Sequence, residues 1–122
     1  MLHPNGSQRI PVAPPSPAAF QILLALADGE KHGYAIMQEI VQRTEGMVRL
    51  GPGTLYRTIK HLLEAGWITE SDERPDPERD DERRRYYRVS AYGQQVARAE
   101  VERLTVLVRS AQRKLAIEGR AI

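Results

Sequence analysis

Counted at 100° per residue, Gly53, Thr54, Arg57, Lys60, His61 and Glu64 share one side of a helix whose opposite side is Leu55, Ile59 and Leu62. Arg57 and Lys60 stand one turn apart in its N-terminal half. A guanidinium can donate two parallel hydrogen bonds to O6 and N7 of a guanine, and Thr54 can touch a thymine methyl or a phosphate. This is the chemistry of reading an anionic polymer. Such a face also arises as the solvated side of any amphipathic helix, so the flanking elements must decide between the two. Tyr56 lies at the edge of the apolar stripe; its ring packs, and its hydroxyl either reaches a phosphate or stays in the core. Covalent chemistry finds little to work with. The chain has no cysteine, no phosphate-binding loop and no nucleophile with a placed base, so it reads as a non-enzyme without a cofactor. His32 and His61 lack partners at metal-ligand spacing, and no metal site is expected.

The elements around this face can be read from their periods and punctuation. Residues 1–15 are rich in proline and turn formers, which marks a flexible arm. Ser16-Pro17 supplies an N-cap and a proline at the first helical position, and Phe20, Leu23, Leu24 and Ala27 continue a first helix over about 17–27. A second helix over about 32–43 carries the stripe Gly33, Ile36, Met37, Ile40 and Val41, with Gly33 leaving room for the close approach of another backbone. Met47–Leu50 could form a small strand. Gly51-Pro52-Gly53 then breaks the chain into a third helix over about 53–65, stopped by Gly66.

Trp67-Ile68-Thr69 and Arg85–Val89 are short β-prone runs joined by a long polar loop, which is the pattern of a hairpin wing over about 67–89. Arg83, Arg84 and Arg85 open the returning strand, with Arg88 three residues on. Strand alternation sends Arg84 and Arg88 to one face and Arg83 and Arg85 to the other. These cations can bind phosphates or enter a narrow minor groove; alternatively they neutralise the acidic loop beside them. Residues 70–82 hold eight acids against two arginines, a net of −6, so the rest of the chain carries +8 against a total of +2. A basic body with one acidic loop suits a nucleic-acid partner, with the loop tip held clear of the phosphates.

Ser90 can cap a last helix over about 91–117. In it Ala97, Val101, Leu104, Val108, Ala111 and Leu115 step by 4, 3, 4, 3, 4, the spacing of a coiled-coil seam. Three heptads with alanines make a shallow seam, so added packing on the first helix, of the same or a partner subunit, is expected. The alternative is a helix folded back on its own domain. Only 41% of the residues are hydrophobic, which suits a chain that completes its core by pairing with a second copy. No apolar run approaches the roughly 18 residues of a membrane span and the N-terminus does not resemble a secretory signal, so no membrane contact and a cytoplasmic location are expected.

The order HGYAIMQEI (32–40), GPGTLYRTIKHLLEAGWI (51–68) and RRRYYRVSAYG (83–93) resembles the PadR family of bacterial transcriptional regulators, in its short-tailed form with a single C-terminal helix. The likeness covers about residues 17–115. It implies an α+β, mostly helical winged helix-turn-helix domain at 16–90 and a dimerisation helix at 91–118. It also implies a homodimer bound to double-stranded DNA at an inverted-repeat operator, usually as a repressor. In known cases such proteins release DNA on binding a small aromatic or drug-like effector. Carried over by position, the recognition helix falls on Gly53 to Ala65 and the wing on Trp67 to Val89. The sequence departs from the family in its long acidic wing loop and in a closing helix whose single aromatic residue is Tyr92. A second reading keeps the winged helix but turns its recognition face and acidic loop toward a protein partner; steep salt dependence of DNA binding separates the two.

Overall fold

The computed structural model describes residues 13–71 and 85–116. Four helices and three short strands lie in the order α1 (Pro17–Ala25), β1 (Lys31–His32), α2 (Gly33–Arg43), α3 (Pro52–Ala65), β2 (Ile68–Glu70), β3 (Tyr86–Val89) and α4 (Ala91–Lys114). Each helix begins where a side chain or proline favours it. Ser16 Oγ accepts from the Ala19 amide at 3.1 Å, Pro52 is the first residue of α3, and Ser90 Oγ accepts from the Gly93 amide at 2.9 Å. Gly66, at φ +79°, ends α3 in the left-handed conformation: its amide reaches Leu63 O, and the Trp67 amide reaches back to Leu62 O at 3.0 Å.

The antiparallel sheet has the order β1-β3-β2, with Lys31 opposite Tyr87, His32 opposite Tyr86 and Thr69 opposite Arg88. β2 and β3 are the two arms of the expected wing. The third strand, β1, is too short to show a period of two in the sequence. The strand that Met47–Leu50 could have formed is absent. There the Val48 amide goes to Thr44 Oγ1 and the Met47 amide to Thr44 O, so both donors serve the turn after α2 rather than a sheet. Val48 and Leu50 still point inward while Met47 and Arg49 face solvent.

One core joins every helix. Ile22, Leu23 and Leu26 at α1, Ile36 and Ile40 of α2, and Leu55, Ile59 and Leu62 of α3 are buried with Ile68, Tyr87 and Val96. Gly33 meets the Tyr56 ring across the α2–α3 seam: a Cβ there would lie 2.4 Å from the Tyr56 hydroxyl oxygen. The close neighbour is thus a side chain, not the backbone that the sequence suggested.

α4 is bound to the body only at its start. Ser90 donates to Gly66 O at 2.6 Å, and a Cβ on Gly93 would sit 1.9 Å from Trp67 O, so α4 rests backbone against backbone on the corner after α3. The buried residues of the helix are Gly93, Val96 and Glu100, all in its first ten positions. Beyond them Val101, Val106, Leu107, Val108 and Leu115 are exposed. Among the described residues no helix is long and apolar enough to cross a membrane.

Candidate nucleic-acid interface

The buried stripe of α3 fixes which side faces out. With Leu55, Ile59 and Leu62 against the core, Gly53, Thr54, Arg57, Lys60, His61 and Glu64 are all exposed. Arg57 Nη2 lies 3.5 Å from Thr54 Oγ1, and the Thr58 hydroxyl donates to Thr54 O at 2.7 Å. Arg57 therefore leans toward the start of the helix without being held by a carboxylate among the described residues. That start is itself unusual. Gly51 offers no side-chain cap, and a Cβ at Gly51 or Gly53 would find nothing within 4 Å. Among the described residues the uncapped positive end of this 14-residue helix is therefore uncrowded at both glycines, a geometry that suits a phosphate.

Tyr56 is half-buried with its ring on Gly33, so the packing expected of it is met, and its hydroxyl lies at the α2–α3 seam rather than on the open face. Of the wing cations, Arg83 and Arg84 lie outside the described residues. Arg85 is engaged with Glu70 at 3.4 Å across the β2–β3 pair, and Arg88 approaches Glu30 at 3.7 Å with its side chain 58% exposed. Arg85 has a partner at the edge of the acidic loop, as the neutralising reading expected, whereas the acid beside Arg88 belongs to the segment before β1; the exposure of both leaves them able to exchange those partners for others.

Three exposed residues on α2 and on the turn that leads to α3 were not singled out by sequence reasoning. Tyr34 is 57% exposed at the second position of α2, and Met47 and Arg49 project from the turn between α2 and α3. Arg43, on one flank of α2, bonds Gln21 of α1, while Gly33 meets Tyr56 of α3. Tyr34 falls on the flank away from Arg43, toward α3. A signal for it existed: an aromatic residue out of phase with the stripe Gly33, Ile36, Ile40.

The proposed seam residues divide. Ala97 packs on the chain's own core and Leu104 and Ala111 are half-buried, whereas Val101, Val108 and Leu115 are open. On α1, Phe20 and Leu24 are also only half-buried. Among the described residues no cluster of His, Cys, Asp and Glu could hold a metal ion.

Several known proteins with this arrangement are described as regulators of transcription. A transcriptional regulator from Clostridium thermocellum superposes with a TM-score of 0.67 at 23% identity, over 79% of this chain and 87% of its own. A PadR family transcription regulator from hypervirulent Clostridium difficile R20291 gives 0.68 at 18% identity, over 82% of this chain and 99% of its own. Bacillus subtilis PadR, solved in complex with operator DNA, gives 0.54 at 18% identity, over 85% of this chain but 49% of its own. These identities establish a common fold. No curated protein matches in sequence. Residues 22–99, well over half of the chain, match the transcriptional regulator PadR-like family, running from the middle of α1 through α2, α3 and the wing into the start of α4. The chain belongs to the PadR-like family of transcriptional regulators, built on a DNA-binding winged helix.

Proposed function

We propose that this regulator is a homodimeric repressor that binds an inverted-repeat operator, with the N-terminal half of α3 in the major groove of each half-site. The observation that carries the reading is the exposed set Gly53, Thr54, Arg57 and Lys60 at the uncapped start of α3. Arg57 reads a base, Lys60 meets a phosphate, and the amides of Gly53 and Thr54 donate to phosphate oxygens of the DNA backbone. Tyr56, with its hydroxyl at the α2–α3 seam, acts by orienting the helix rather than by the direct contact the sequence allowed. Arg83, Arg84 and Arg85 of the wing supply further phosphate contacts, Arg85 by leaving Glu70.

Dimerisation joins the distal half of α4 to its mate through Val101, Leu104, Val108, Ala111 and Leu115, continued inward by Ala97, with Phe20 and Leu24 of α1 covering the flank. The exposed valines and leucines beyond residue 100 support this assignment, since an isolated chain leaves them in water. Repression would follow from occupancy; Bacillus subtilis PadR, solved with operator DNA, supports the operator-binding part of the reading. Release by a small aromatic ligand has a candidate seat: a half-open cleft of about 300 Å³ bounded by Pro14, Pro15, Thr58, His61 and Trp67, beside the second half of α3.

The test is selection of bound sequences from random duplexes, followed by titration at rising salt. An enriched two-fold site whose affinity falls by about a thousandfold between about 50 and about 200 mM salt is expected for six or more phosphate contacts. Absence of any enriched duplex, or binding indifferent to salt, would turn the recognition face over to a protein partner.

A further inference from the structure

The first turn of α2 meets α3 at one point, where the Tyr56 ring covers Gly33. Counted around α3, Tyr56 stands between the buried stripe of Leu55 and Ile59 and the exposed face, with Gly53 one turn before it and Lys60 one turn after. The start of α2 therefore borders the Gly53–Lys60 edge of that face. α2 itself has three sides. Ile36 and Ile40 enter the core. Glu39 and Arg43 lie on the side toward α1, where Arg43 donates to the Gln21 carbonyl at 3.3 Å and Glu39 pairs with Lys31 and Arg43. The third side, toward α3, carries Tyr34 and, one turn on, Gln38, both exposed. Glu39 is the single acid in the sequence of α2, so this third side brings no carboxylate toward a polyanion.

We propose that Tyr34 is a DNA-contacting residue: its hydroxyl donates to a backbone phosphate at the α2–α3 seam, beside the phosphate that Lys60 meets. The proposal rests on the DNA-binding reading above. Tyr34 is 57% exposed, and among the described residues its hydroxyl has no hydrogen-bond partner. Its ring lies out of phase with the buried stripe and adds little to the core, so the phenol is available to a ligand. A tyrosine carries its donor on a rigid ring with two torsions and loses little freedom when it binds. Gly33, next in the chain, is pinned under Tyr56, so a phosphate held at Tyr34 also fixes how α3 sits in the groove. The phenol is uncharged. Its contact adds affinity without adding a cation that displaces a counterion, whereas the ammonium of Lys60 does displace one. Salt dependence therefore separates the two residues.

The experiment compares wild type, Tyr34→Phe and Lys60→Ala as full chains, titrated at several salt concentrations on a selected operator. The same operator is then made with a single methylphosphonate, which removes one phosphate's charge, placed at each backbone position in turn. Tyr34→Phe keeps the ring and deletes one oxygen. It is expected to bind the unmodified operator about tenfold more weakly, the size of a lost hydrogen bond to a charged group, with the salt slope of wild type. Lys60→Ala should lower that slope by about one. At one position, the methylphosphonate should cost wild type about tenfold more than it costs Tyr34→Phe, because the two changes remove the same contact. The denaturation midpoint of Tyr34→Phe should match wild type. A Phe variant that binds the operator as tightly as wild type would overturn the proposal alone. So would a loss that is additive with every methylphosphonate, or a lowered midpoint that assigns the hydroxyl to the fold. Failure of wild type to bind any duplex would instead remove the DNA-binding reading, and the proposal with it.

Discussion

At Arg57 the difference between a solvated cation and a reading head is a matter of neighbours. Its guanidinium is exposed and lies 3.5 Å from Thr54 Oγ1, and among the described residues no carboxylate pairs with it, so presenting it to a base breaks no ion pair there. Arg57→Ala is expected to weaken binding of the selected operator by about 1–3 kcal/mol and to relax the preference at one base pair, checked by titration against single-position operator variants. Lys60→Ala should instead weaken all duplexes alike and lower the salt slope by about one. Glu100 shows the same logic applied to stability. It is 5% exposed, and its two oxygens accept from Arg103 at 2.8 and 2.6 Å, which holds the carboxyl below its ordinary range. A carboxyl whose pKa is depressed by folding stabilises the fold above the unfolded value, and that contribution disappears as pH falls through the folded one. Glu100→Gln should therefore be less stable than wild type near neutrality, with the gap closing in acid below the carboxylate range; thermal unfolding at a series of pH values measures it.

Beyond the shared core, a few tight contacts fix how the elements meet. α2 and α3 meet where Gly33 accepts the Tyr56 ring, and α4 is seated where Gly93 lies on Trp67 O. The second contact is the more rigid, since the neighbour is backbone and cannot rotate away. Gly93→Ala is expected to destabilise the fold by about 1–3 kcal/mol or more, seen as a lowered denaturation midpoint, because the added methyl must push the first turn of α4 off the α3–β2 corner. Gly33→Ala should cost less, as the Tyr56 side chain can shift. On the far flank of α2 an ion-pair chain runs from Asp28 through Lys31 and Glu39 to Arg43. Burial works to lower the Lys31 ammonium's pKa, but the hydrogen bonds with Asp28 and Glu39 outweigh it and raise it overall. These contacts tie the short loop before β1 to α2.

For the whole molecule the telling feature is how unevenly α4 is used. Its 24 residues extend about 36 Å, but burial within the chain ends at Glu100. The distal half carries an exposed apolar stripe of Val101, Val106, Leu107 and Val108, which the proposed second copy would cover. Val108→Glu is expected to convert the dimer to monomers in sedimentation and to reduce operator affinity by at least about tenfold, because two tethered half-site contacts become one. Val108 is exposed in the single chain, so the fold of each monomer should survive, and an unchanged circular dichroism spectrum is the control. An intact dimer in this variant would place the subunit contact elsewhere.

The helices, the wing strands and the outward face of α3 are all legible in the order of residues. Each of these is encoded locally: a period of 3.6 at Leu55, Ile59 and Leu62, caps at Ser16 and Ser90, and a left-handed stop at Gly66. Local codes end where partners are distant. β1 has two residues and no period, and it exists only because Tyr86 and Tyr87 pair with it from more than fifty positions away. Tyr56 turned inward because Gly33 made room for it, and Arg85 came to rest on Glu70 because strand register set them diagonally across the β2–β3 pair. The heptad steps of α4 gave one continuous seam, but packing divided it near residue 100: the first turns were used up on this chain's own core, and the rest was left free. Which apolar surface is already covered, and which still needs covering, depends on where the chain folds back on itself, and that is settled by contacts between residues far apart in the chain.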